Sequence, residues 1–260
     1  LYTLISNHLT MRKFGLIGYP LEHSFSSKYF SEKFRKEKIN GCSYSNYPLT
    51  NIEQLTDLID SDKEICGLNV TIPYKKEVIS YLDHIDPEAE QVGAVNVLKI
   101  IRSAGMVQIR GYNSDIFGIR ATLMPFKPEE LQNALVLGTG GSSKAVCYVL
   151  KKLNVNYTLV SRTGKPGCIT YSDINADLLK EIRLIVNTTP AGMYPDTEGK
   201  PDIRYELLTD RNILFDLVYN PEITSFLKAG EERGCKILTG LKMLFSQAEK
   251  SWEIWNDPQI

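Results

Sequence analysis

The sequence has few of the residues that build metal centres or disulfide frameworks. It holds three dispersed histidines (His8, His23, His84) and five scattered cysteines (Cys42, Cys66, Cys147, Cys168, Cys235) with no CxxC spacing. That suggests neither a zinc site nor a disulfide framework, and a reducing cytoplasm fits best. No apolar run approaches the about 20 residues that a membrane-spanning helix needs, and the N-terminal LYTLISNHLT lacks the basic stretch and cleavage site of a signal peptide. Charge of one sign is not in excess: 30 basic residues face 31 acidic ones. No general attraction to nucleic acid or to a membrane surface is therefore written in. Internal repeats and low-complexity tracts are also missing. What remains is 260 residues, 43% of them hydrophobic, enough for one large core or two smaller ones. Met11-Arg12-Lys13-Phe14 reads as a natural start, so residues 1–10 are expected to be an upstream extension.

In the first half, Phe14–Gly18 reads as a short strand, followed by Leu21-Glu22-His23-Ser24-Phe25-Ser26-Ser27 and a helical pattern. A serine there is most often a plain cap. Several hydroxyls beside free helix N–H groups also form an anion site, which makes Ser24 and Ser26 candidates for holding a carboxylate or phosphate. A second strand is expected over Cys42–Tyr47 and a helix over Ile52–Ile59. In Leu68-Asn69-Val70-Thr71-Ile72 the apolar residues alternate, which puts Asn69 and Thr71 together on the opposite face. Pro73 then suits the first turn of a helix over Tyr74–Leu82. Two short polar groups and Lys75 thus converge where a strand hands over to a helix. A solvated edge strand with a surface lysine is the plainer alternative. Val95–Arg102 and Met106–Tyr112 read as a hairpin joined by Ser103-Ala104-Gly105. With Arg102 facing Met106, Asn96 falls opposite Tyr112, close to Asp115, which is either a functional carboxylate or the cap of a helix over Ile116–Met124.

Met124–Glu130, with two prolines and charges, reads as a connector. Beyond it, a buried strand (Ala134–Leu137), the turn Gly138-Thr139-Gly140-Gly141-Ser142-Ser143 and a helix from Lys144 to Leu153 follow in the order of a dinucleotide site. Gly138 allows the tight turn, Gly140 the close approach of a pyrophosphate, and Ser143 is small enough for helix to sit on strand. An NAD site usually places an acid about 20 residues on. This chain instead has Ser161-Arg162-Thr163-Gly164-Lys165 there. A guanidinium suits a 2′-phosphate by charge and by its donor fork, so the expected cofactor is NADP(H). Further strands are expected at Leu184–Asn187, Ile213–Val218 and Lys236–Leu238, with loops at the carboxyl ends that face ligands in a doubly wound sheet. Leu241–Trp255 reads as an amphipathic helix with Gln247 set among apolar positions.

Nine pieces resemble, in order, the shikimate dehydrogenase family: HSFSS (23–27), NVTIPYK (69–75), GAVN (93–96), GYNSD (111–115), GTGGSSK (138–144), SRT (161–163), NTTPAGM (187–193), DLVYNP (216–221) and GLKMLFSQA (240–248). The resemblance runs from about Phe14 to the C-terminus. It implies an α/β fold of two domains: an N-terminal substrate-binding domain over residues 11–121, with the C-terminal helix 241–260 packing back on it, and a Rossmann-type NADP-binding domain over 122–240. The active site is expected in the cleft between them.

The implied activity is reduction of 3-dehydroshikimate to shikimate with NADPH, in the pathway to chorismate and the aromatic amino acids. Lys75 and Asp115 would be the catalytic pair. Ser24, Ser26, Asn69, Thr71, Asn96, Tyr219 and Gln247 would bind substrate. Gly138, Gly140, Gly141, Ser142, Arg162, Thr163, Leu217, Gly240 and Met243 would surround the cofactor. Three positions depart from the family pattern: Val97 stands where Thr is usual, Ser161 replaces an Asn, and a second basic residue after Arg162 is at best Lys165. The implied partners are small molecules, with no nucleic acid, membrane or metal, for a cytoplasmic monomer or homodimer. Two alternatives stand beside this one, a quinate/shikimate dehydrogenase of broader substrate or cofactor use and a non-catalytic sensor of shikimate-like ligands.

Overall fold

The computed structural model describes residues 11–21 and 25–259. They divide into two compact units. One comprises the described residues up to Glu90, Ala94–Asn113 and those from Ser251. The other comprises Gln91–Gly93 and Ser114–Lys250.

In chain order the first part supplies β1 (Arg12–Gly18), α1 (Phe25–Lys36), β2 (Cys42–Pro48), α2 (Gln54–Ser61), β3 (Ile65–Val70), β4 (His84–Ile85), α3 (Pro87–Val92), β5 (Val97–Ser103) and β6 (Met106–Tyr112). The strands form one mixed sheet in the order β2-β1-β3-β5-β6-β4. β1 runs parallel to both β2 and β3, whereas β5 is antiparallel to β3 and β6. Alternation along the strands buries Leu68, Val70, Leu98 and Ile100 in a core with Leu55, Ile59 and Val78. A second cluster is aromatic: Phe14 stacks on Trp255 at 4.8 Å, Phe30 stacks on Tyr44 at 4.5 Å, and Trp252 meets Phe14 edge-on at 5.4 Å.

Three local expectations are corrected here. β3 stops at Val70, its last residue paired with β1, so the alternation does not continue and Ile72 is 65% exposed. Tyr74–Leu82 is not an α-helix but a turn followed by a 3₁₀ segment, Glu77–Tyr81. The Tyr74 hydroxyl is anchored on the Leu49 carbonyl at 2.6 Å, and Val78 and Ile79, whose branched side chains slightly disfavour a helix, pack inward. In the hairpin, Ser103 pairs with Met106 and Val97 with Tyr112, one residue out of the expected register. The loop is only Ala104-Gly105, both at positive φ (50° and 78°), as a two-residue turn requires.

The second part supplies α4 (Asp115–Leu123), β7 (Ala134–Leu137), α5 (Gly141–Lys152), β8 (Tyr157–Val160), β9 (Cys168–Ile169), α6 (Ala176–Glu181), β10 (Leu184–Asn187), β11 (Ile213–Asp216), α7 (Ser225–Glu231), β12 (Lys236–Leu238) and the start of α8 (Gly240–Asn256), whose residues from Ser251 belong to the first unit. Its sheet is parallel throughout, in the order β12-β11-β10-β7-β8-β9. This is the doubly wound Rossmann order, which reverses direction between β7 and β10. Leu135, Leu137, Val160, Ile185 and Leu214 pack with Phe226 and Leu227 in its core. α5 begins three residues before the expected Lys144, at the third glycine of the turn. β11 ends at Asp216 rather than Val218, because the Asp216 side chain accepts from the Val218 N–H at 2.9 Å and turns the chain. Among the described residues, no helix is long and apolar enough to cross a membrane.

Candidate active site

In the first unit, the carboxyl ends of β1 and β3 lie side by side, with the Thr71 N–H donating to the Ile17 carbonyl at 2.9 Å. One residue before the end of β3, the half-buried Asn69 is held by three partners. Its Oδ1 accepts from the Tyr44 hydroxyl at 2.9 Å, and its Nδ2 donates to the Asn96 carbonyl at 3.3 Å and to Ser251 Oγ at 2.9 Å. Ser26, in the first turn of α1, hydrogen-bonds the Tyr44 side chain. Three of the expected substrate residues, Ser26, Asn69 and Asn96, thus belong to one network. Asn96 is 2% exposed, and its N–H donates to the Tyr112 carbonyl at 3.0 Å. Ser24 lies outside the described residues, as do residues 1–10.

Lys75 is half-buried in the turn after β3. Its carbonyl accepts from the Val95 N–H at 2.7 Å, while the Asn113 side chain donates to the Ala94 carbonyl at 2.8 Å. The segments Thr71–Lys75, Ala94–Asn96 and Tyr112–Asn113 are therefore stitched together by two backbone bonds and the Asn113 side chain, although they are remote in sequence. Asp115, in the second unit, is the first residue of α4 and 2% exposed. Ser114, not Asp115, takes the cap position, and it makes no side-chain cap bond. Capping therefore does not account for a carboxylate buried there.

The second unit places the glycine turn at the point where strand order reverses. Gly138 has φ +109°, and a Cβ on it would lie 2.7 Å from Thr188 Oγ1 in the loop after β10. A Cβ on Gly140 would meet nothing within 4 Å, so the backbone there is open to a bulky anion. Gly141 and Ser142 open α5, whose first turn carries no acid to oppose the positive helix end. The buried Ser143 donates to the Gly140 carbonyl at 2.7 Å and holds the turn. After β8, Arg162 and Thr163 form an exposed turn braced by the Thr163 N–H on Ser161 Oγ at 3.3 Å. Lys165 reaches back to Thr139 Oγ1 at 3.1 Å, placing a second cation over the glycine turn. These features fit a dinucleotide bearing an extra phosphate.

On the far side of the sheet, the Leu217 N–H donates to the Asn187 carbonyl at 3.0 Å. A Cβ on Gly240 would sit 2.8 Å from the Leu217 carbonyl oxygen and 2.6 Å from that of Val218. Met243 is buried on α8, while Tyr219 and Gln247 are half-buried. The loops after β10 and β11 are joined by the fully buried Asp216, which accepts from Asn187 Nδ2 at 3.0 Å and from Thr224 Oγ1 at 2.6 Å. Burial pushes its carboxyl up to about 6, against the three hydrogen bonds it accepts. Tyr44, Ser251 and Asp216 carry no spacing signal, so sequence reasoning passed over their part in these networks. For Lys165 the signal was its place three residues after Arg162.

Residues 16–98 match the family profile of the shikimate dehydrogenase substrate binding domain. A shikimate dehydrogenase (NADP(+)) from Methanococcus aeolicus is 38% identical over 258 residues, covering 93% of this chain and 90% of the relative. Among solved structures, a chorismate mutase/shikimate 5-dehydrogenase fusion protein from Clostridium acetobutylicum matches with a TM-score of 0.82 at 36% identity, over 95% of this chain and 92% of that one. Shikimate 5-dehydrogenase from Thermus thermophilus, solved with NADP(H) and shikimate, matches with a TM-score of 0.81 at 29% identity, over 96% of both chains. With such identity across nearly its whole length, the chain belongs to the shikimate dehydrogenase family.

Proposed function

We propose that this chain reduces 3-dehydroshikimate to shikimate with NADPH, using Lys75 and Asp115 as its acid–base pair. The observation that carries the cofactor half is the end of β8, where Arg162 and Lys165 stand in place of a carboxylate beside an open glycine turn. Gly138, Gly140, Gly141 and Ser142 would hold the pyrophosphate. Arg162 and Thr163 would hold the 2′-phosphate, and Leu217, Gly240 and Met243 would line the rest. The cofactor, when bound, supplies the hydride that adds to the substrate carbonyl carbon.

The protein's own part is to bind, orient and protonate. The carbonyl oxygen gains a proton as it becomes a hydroxyl, and the Lys75 ammonium is the donor. Asp115, as its partner in the pair, would hydrogen-bond the reacting hydroxyl and fix its orientation. Ser24 and Ser26 hold the substrate carboxylate, Asn69, Asn96 and Gln247 read its hydroxyls, and Thr71 and Tyr219 complete the pocket. A site that bonds several hydroxyls rejects analogues lacking them, because its own groups are left unpaired. Residues 11–121 with 241–260 form the substrate-binding part, and 122–240 the cofactor-binding part. The working form is a cytoplasmic monomer or homodimer that takes no nucleic acid.

The test is a comparison of initial rates with shikimate and quinate, each with NADP and with NAD. The expected order puts shikimate with NADP first by a wide margin. Comparable rates with quinate or NAD would make it a broader dehydrogenase. Binding of 3-dehydroshikimate without NADPH oxidation would make it a sensor.

A further inference from the structure

The Asn69 amide sits among partners that dictate which of its ends is which. Its Nδ2 lies 3.3 Å from the Asn96 carbonyl oxygen, an atom that can only accept, and 2.9 Å from Ser251 Oγ. The nitrogen must face them, and both of its hydrogens are then engaged. Oδ1 faces Tyr44, so the Tyr44 hydroxyl is the donor at 2.9 Å. With its only proton given to Asn69, the phenol oxygen is left as an acceptor, and the Ser26 hydroxyl donates to it. One backbone carbonyl thus sets the direction of a chain of hydrogen bonds running from Ser26 through Tyr44 and Asn69 to Asn96. The Tyr44 ring is 6% exposed and stacked on Phe30 at 4.5 Å, which leaves it little room to turn. Burial holds its phenol above the ordinary tyrosine range, so the donor keeps its proton at neutral pH.

We infer that Tyr44 is a positioning residue for the substrate: it fixes the separation of Ser26 and Asn69 and leaves Asn69 able to meet the substrate only as a hydrogen-bond acceptor. The inference rests on the substrate roles proposed above for those two residues. It also specifies the partner. The free lone pair of Oδ1 takes a substrate hydroxyl that donates, and an ether oxygen or carbonyl at that position would face it acceptor to acceptor, a mismatch that leaves both groups unpaired.

Tyr44→Phe removes the hydroxyl and keeps the stacked ring. It is expected to raise KM for shikimate about tenfold, the factor for one lost hydrogen bond, with kcat and KM for NADP within about twofold. The increment should vanish when Tyr44→Phe is combined with Ser26→Ala and Asn69→Ala, since its targets are then gone. A merely structural tyrosine would lower the melting temperature without this split. If Ser26→Ala and Asn69→Ala each raise KM for shikimate and Tyr44→Phe does not, the inference is overturned. If none of the three moves KM, the substrate assignment fails and the inference with it. Should Tyr44→Phe fail to fold, Ser251→Ala serves instead. It frees one Nδ2 hydrogen and is expected to weaken the preference for a hydroxyl over an ether analogue, and an unchanged preference overturns the inference.

Discussion

The Thr224 hydroxyl donates to the Asp216 carboxylate at 2.6 Å in a place where Asp216 has no exposure to solvent. The bond joins the end of β11 to the cap of α7, since Thr224 Oγ1 also accepts from the Leu227 N–H at 3.3 Å. A carboxyl held at about 6 by burial, against an ordinary value near 3.8, ties this junction to pH. Between those two values the folded chain keeps a proton that the unfolded chain has lost. The stabilisation from this group is therefore fully present below about pH 4 and is lost as pH rises through about 6, by at most about 3 kcal/mol. Melting curves of the wild type and Asp216→Asn from pH 4 to 7 check this. The wild type should lose ground relative to the variant across that window, and a constant difference would mean that Asp216 titrates as an ordinary aspartate.

Lys75 is predicted to act in the chemical step rather than in binding. Lys75→Ala should lower kcat by roughly 10²–10⁴ with a modest change in KM for shikimate, the range for loss of an acid–base group. Asp115→Asn should lower kcat as well. Turnover near wild type in Lys75→Ala would reduce the lysine to a binding or surface residue.

Arg162 should decide cofactor choice. Because it is exposed, with Lys165 as a second cation nearby, its contribution is charge-assisted and screened by salt. Arg162→Ala is expected to raise KM for NADP by about 10- to 100-fold at low salt, with KM for NAD little changed. Steady-state assays with both cofactors at two ionic strengths would show it. Equal losses with the two cofactors would place Arg162 away from the 2′-phosphate.

What was legible in the sequence follows from how local each signal is. β7, the glycine turn and α5 form one contiguous stretch whose backbone demands can be read from residue type, above all Gly138 at φ +109°. Asn69 was legible as a polar residue on a strand face, but not its three partners, which come from β2, the residue before β5, and α8. The hairpin register depended on whether Ser103 pairs or loops, a choice made by the positive φ of Ala104 and Gly105. β4, β9, α3, α6 and α7 are too short for periodicity to declare them. Asp216 stood in a recognised loop, yet its burial depends on Asn187 and Thr224 being brought to it by the fold.

Trp255 is the side chain on which the aromatic core of the first unit closes. It is 4% exposed, its indole N–H donates to the Leu98 carbonyl at 3.0 Å, and Phe14 stacks on it. Gly67, in the centre of β3 between β1 and β5, makes room for the ring: a Cβ there would run into the indole nitrogen. Trp255→Ala should cost about 3–5 kcal/mol by urea unfolding, the range for emptying a large aromatic site. Trp255→Phe should cost less, because most of the buried area stays and the hydrogen bond goes. Gly67→Ala tests the same contact from the other side. A strand paired on both edges cannot back away, so the indole must shift out of its stack on Phe14, and the variant should be destabilised by about 1–3 kcal/mol. A Gly67→Ala protein as stable as the wild type would mean that Trp255 has a second place to go.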